Sequence, residues 1–148
     1  MARSNFLFSK GQSLFEVVTA LGVVTIIIVA LVALASNSIH NSNFSRDKAL
    51  ATRYSQEATE WLREERDTNW DIFSSKAETP TWCLPSLSWT AASVGNCNGD
   101  YLSGTRFQRE IFFSLVDAKT VGVQVIVSWQ DAKGTHQVNS ATTLTDWR

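Results

Sequence analysis

The sequence predicts an α+β chain: one long N-terminal helix, its first half suited to a membrane, packed on a C-terminal antiparallel sheet of three to four strands. Three observations predict it. From Val17 to Ile39 no side chain is charged. From Val23 to Thr79 there is neither Gly nor Pro, so nothing local obliges a helix to break. Further on, Val121, Val123, Val125, Val127 and Trp129 alternate strictly with Gly122, Gln124, Ile126, Ser128 and Gln130. That is the period of a strand with one apolar face.

The uncharged run is about 23 residues long, enough to cross the ~30 Å hydrocarbon core at ~1.5 Å per residue. Polar residues follow at His40-Asn41-Ser42-Asn43, where three of four are poor helix formers and leave room for fraying. The helical pattern then resumes. Leu50, Ala51, Tyr54, Ala58, Trp61 and Leu62 recur at intervals of three and four, and Arg46, Arg53, Glu57, Glu60, Arg63 and Glu64 fill the opposite positions. One helix is expected from about Ser13 to about Arg66, about 80 Å long. Its second half lays the Tyr54/Trp61/Leu62 stripe on a globular head.

Residues 67–104 hold Pro80, Pro85, Gly95, Gly99 and Gly104 and read as a long connection with little regular structure. Leu87 to Val94 is the one short strand expected within it. In the last third, Phe107, Ile111, Phe113 and Leu115 share a parity that Arg109 interrupts. Asp117-Ala118-Lys119-Thr120 links this strand to the valine strand. Asp131-Ala132-Lys133-Gly134 makes the next turn, and His136, Val138, Ser140, Thr142 and Leu144 alternate as a further strand. The valine face is the natural partner of the helix stripe.

The start of the chain carries the functional signal. A short leader with Arg3 ends in Lys10-Gly11, and Gln12-Ser13-Leu14-Phe15-Glu16 follows. A lone carboxylate, Glu16, at the mouth of an apolar run is costly to place in lipid and needs a reason. Lys10-Gly11, the core Ser13-Leu14-Phe15-Glu16-Val17-Val18 and the apolar helix behind it resemble the class III signal of type IV pilins and type II secretion pseudopilins. The resemblance implies cleavage between Gly11 and Gln12 by a prepilin peptidase, on the cytoplasmic side. It implies methylation of the new amino terminus at Gln12 and assembly into a filament through the helix. Glu16 would then meet the terminal amine of a neighbouring subunit. The chain divides accordingly into a leader (1–11), a transmembrane and assembly half-helix (12–39) and an extracytoplasmic head (40–148). No Pro interrupts the run, and the tails Val123–Asp131 and Thr143–Arg148 look like those of PilV-type minor pilins and minor pseudopilins. Partners implied are the prepilin peptidase, other subunits, an inner-membrane assembly platform and membrane lipid. Cys83 and Cys97 are the only cysteines. In a head outside the cytoplasm they are expected as a disulfide, closing a loop of about 14 residues and stabilising by roughly 3 kcal/mol. Two separate buried thiols are the alternative.

Other readings were weighed. Ala33-Leu34-Ala35 resembles a secretory cleavage site, but the run is long for a signal peptide and leaves the Gly11-to-Glu16 spacing to coincidence. The net charge is -1, or about -3 (-1 minus 2) once Arg3 and Lys10 leave, which gives no general pull toward nucleic acid. A DNA receptor would rely on Arg106, Arg109, Lys119 and Lys133. A membrane-anchored binding module would use Trp82, Trp89 and Tyr101. No nucleophile motif, Gly-rich phosphate loop or metal-ligand spacing supports an enzyme or a cofactor; His40 and His136 stand far apart.

Overall fold

The computed structural model describes residues 12–147. The chain divides into two units, one ending at Phe44 and one from Ser45 onward. Helix α1 (Gln12–Thr68, 57 residues) contributes to both.

In the first unit every residue from Leu14 to Ile39 is exposed, and the helix is long and apolar enough to cross a membrane. Its hydroxyls turn inward on the backbone. Thr19 Oγ1 donates to the carbonyls of Phe15 (3.0 Å) and Glu16 (2.9 Å), and Thr25 Oγ1 to that of Gly22 (2.8 Å). These bonds satisfy the Thr19 and Thr25 hydroxyls without water. The helix runs unbroken through His40–Asn43, as the single helix expected from the sequence requires.

In the second unit the α1 face toward the sheet is Asp47, Ala51, Ser55, Ala58, Thr59 and Leu62, all buried. The spacing of three and four is as expected, but half of the face is polar and Tyr54 and Trp61 are only half-buried at its margin.

The region 67–104 corrects the sequence expectation. Helix α2 (Trp70–Ala77) forms there, its first turn capped by Asn69 Oδ1 accepting from the Ile72 N–H (3.0 Å). Two short strands follow, β1 (Thr81–Cys83) and β2 (Ser93–Val94). The strand expected over 87–94 is thus its last two residues. The long strands are β3 (Gln108–Asp117), β4 (Thr120–Asp131) and β5 (Gly134–Thr145). All pairings are antiparallel, in the order β2-β1-β3-β4-β5, so the sheet has five strands rather than three to four.

The same tripeptide builds both hairpin turns. In Asp117-Ala118-Lys119 and Asp131-Ala132-Lys133 the Asp Oδ1 accepts the Lys N–H, at 2.8 and 2.7 Å. Gly134 then takes φ 131°, a value strained for any residue with a Cβ. The valine face of β4 is buried from Val121 to Trp129, as its alternation requires. Tyr54 and Phe107 rings (5.4 Å) and Phe107 and Trp129 rings (5.8 Å) carry the packing from helix to sheet. Leu115, assigned by parity to the same face, is exposed at the strand end.

Candidate functional site

The expected processing site is only partly in view. Gly11 and the leader 1–11 lie outside the described residues, and Gln12 is the first residue of α1. Glu16 sits one turn further on, exposed, with no ion-pair partner among the described residues. It is the single carboxylate on α1 before Asp47. Around it Leu14, Phe15, Val17 and Val18 are all more than half exposed. A charge among unburied apolar side chains gains little within its own chain.

In the head, Cys83 and Cys97 are joined as a disulfide, with Cα atoms 4.9 Å apart and a sequence separation of 14. The bond lies on the sheet face away from α1, since Cys83 pairs with Glu110 and not with the buried residues. Two further bonds seat the loop there. Cys97 N–H donates to Glu110 Oε1, and Gln108 Nε2 donates to the Cys97 carbonyl, each at 2.7 Å.

The loop tryptophans are structural. Trp89 packs at a tilt of 50° against Trp61 of α1 (4.9 Å between ring centroids), and its Nε1 donates to Glu65 Oε2 at 2.7 Å. Trp82 meets Trp89 (5.5 Å) and donates to the Lys76 carbonyl at 3.0 Å. The Lys76 ammonium stands over both rings, at 5.5 and 5.9 Å. Only Tyr101 of the three loop aromatics is mostly exposed.

The four basic candidates do not make one free cationic surface. Arg109 is buried on the helix side of β3. Its Nε donates to the Leu84 carbonyl (3.1 Å) and its Nη1 to the Tyr54 carbonyl (3.3 Å). Burial pushes its guanidinium down to about 10, against the opposing pull of Glu57 and then Tyr54. Arg106 pairs with the buried carboxylate of Asp47, and Lys119 lies 3.7 Å from Asp146. The charge that broke the parity of β3 is therefore a three-way clamp between helix, loop and strand. Its only sequence signal was its place among apolar residues of that parity.

Among the described residues no group of three or more His, Cys, Asp or Glu side chains is placed to hold a metal. A groove of about 470 Å³ runs along α1 between Trp61, Leu87 and the carboxylates of Glu57, Glu60 and Glu64. Two of these already pair on the helix, Glu57 with Arg53 and Glu60 with Arg63. Compared with protein-family models, curated proteins and solved structures, the chain matches none of them.

Proposed function

We propose that this chain is a structural subunit, a minor pilin or pseudopilin, of a type IV pilus or type II secretion-like filament. It is made with the leader 1–11, held in the cytoplasmic membrane with its amino terminus inside and its head outside, and cleaved after Gly11 by a prepilin peptidase. It then enters the filament through α1, with Glu16 paired to the amino terminus of a neighbour.

One observation carries the reading. A single helix holds an uncharged, wholly exposed apolar half and a half seated on an antiparallel sheet, with one carboxylate near its start. Exposed apolar surface on this scale needs lipid or other helices around it. A carboxylate in that environment is strongly unfavourable until a cation meets it, so the pair can select which subunit enters, and in which register.

The test is Glu16→Val. The variant is expected to be cleaved and membrane-bound yet poorly incorporated, measured as its share of sheared filaments. Incorporation at the unaltered level would sink the assembly role of Glu16.

A further inference from the structure

Gly122 lies within β4, where a residue without a side chain weakens a strand. Val121, Val123 and Val125 turn toward the core, so Gly122 and Gln124 face the opposite side of the sheet. The register sets Phe112 and Ala141 beside Gln124, and Ser114 and Thr143 beside Gly122. These six residues line a hollow of about 500 Å³ on that face. A Cβ at position 122 would lie 2.4 Å from Ser114 Oγ, so the bare backbone lets the serine lean across the strand. Next to the hollow β3 is irregular, its register shifting between Leu115 and Asp117. Strand glycines recur where a ligand or another backbone comes close, and bulges recur beside active sites.

The lining decides what fits. No Asp, Glu, Lys or Arg borders the hollow, unlike the groove along α1 with its three glutamates, so an ion would meet no opposite charge. β4 is an inner strand, its main chain engaged by β3 on one side and β5 on the other. An extended peptide would therefore find no ladder to join there. A purely apolar ligand would cover the Gln124 amide and the Thr143 hydroxyl, which make no hydrogen bond among the described residues, and leave them unpaired. A hydroxylated ring meets every condition. Its hydroxyls give and take hydrogen bonds, as do Gln124, Ser114 and Thr143, and its C–H face can lie on the half-buried Phe112 ring.

We propose that this hollow binds an uncharged oligosaccharide. Gln124 and Thr143 hold its hydroxyls, Phe112 carries one ring face, and Gly122 leaves the floor open. The volume lies within the ~300–1,000 Å³ of small-ligand clefts. The site stands wholly on the head and does not depend on the filament reading.

The experiment uses the full chain in dodecylphosphocholine micelles, whose headgroup carries no sugar. Maltotetraose and chitotetraose are each titrated to about 10 mM while the backbone amide signals are followed. The expected result is a saturable shift confined to residues 112–114, 122–124 and 141–143 with at least one of the two, and a weaker response to the anionic tetragalacturonate. Thr143→Val and Gln124→Leu keep the size of the side chain and remove its hydrogen bonds. Each should lower the affinity about five- to tenfold with the unfolding midpoint unchanged. Gly122→Ala sets a Cβ on the floor of the hollow and should abolish binding; where it also shifts the midpoint, Thr143→Val decides. No saturable shift at these residues with either neutral sugar overturns the proposal. So does tetragalacturonate binding as tightly as the neutral sugars, or Thr143→Val binding like the unaltered chain.

Discussion

The two halves of α1 share one backbone and obey opposite rules. Before residue 40 the apolar side chains face outward all round, and the hydroxyls of Thr19 and Thr25 fold back onto carbonyls. After residue 45 the charges other than Asp47 face outward, and the inward face is made of Asp47, Ala51, Ser55, Ala58, Thr59 and Leu62. The second pattern is that of a helix in water resting on a core. The first is the pattern of a helix whose surroundings are themselves apolar. The contrast between the halves, more than either one, is what the proposal of a subunit held first in a bilayer and then among other helices rests on.

One chemical change placed in each half makes the comparison breakable. Leu62 is completely buried, so Leu62→Ala should lower the stability of the head by about 2–5 kcal/mol. Leu34 is two-thirds exposed, and Leu34→Ala should leave the unfolding midpoint of the head where it was. Denaturant melts of the two variants in the same detergent would show this; equal losses would mean that the halves are not distinct.

Next in size is the staple. Replacing both cysteines by Ser should cost about 3 kcal/mol, read as a shift in the same melt. It should free the loop seated on Gln108 and Glu110, read as faster amide exchange at Cys97. An unchanged midpoint would leave the disulfide without a stabilising role.

Arg109→Ala removes the clamp and leaves the Leu84 carbonyl short of its donor. A loss of about 2 kcal/mol is expected. Between pH 10 and the ordinary arginine range the folded head gives up this proton before the unfolded chain does. Arg109 therefore makes stability rise with pH in that window, and the variant should lose that rise. A variant as stable as the unaltered chain would show that the buried guanidinium contributes nothing net.

What the sequence made legible follows the same division. Long periodic elements were plain: α1, the valine strand, the Asp-Ala-Lys turns and β5 repeat their signal many times over. The cysteine pair was legible because only two cysteines exist. The region 67–104 was not. A strand of two or three residues has no period to read, and Pro80 and the glycines outweighed the cap at Asn69 and the charges Asp71 and Lys76 that open and close α2. The buried polar groups were missed for another reason. Asp47, Ser55 and Thr59 sit at the right helical spacing, but burial of polar groups depends on partners far away in sequence, such as Arg106 for Asp47 and Ser140 for Thr59. The processing signal expected at Gly11 falls outside the described residues, so nothing in the fold speaks to it.

That leaves one measurement closest to the central claim: the intact mass of the protein from membranes, with and without a co-expressed prepilin peptidase. The account predicts loss of Met1 to Gly11 only when the peptidase is present, with or without one added methyl on Gln12. A mass that keeps Met1 to Gly11 beside an active peptidase would contradict it, and residues 12–39 would then be an ordinary anchor.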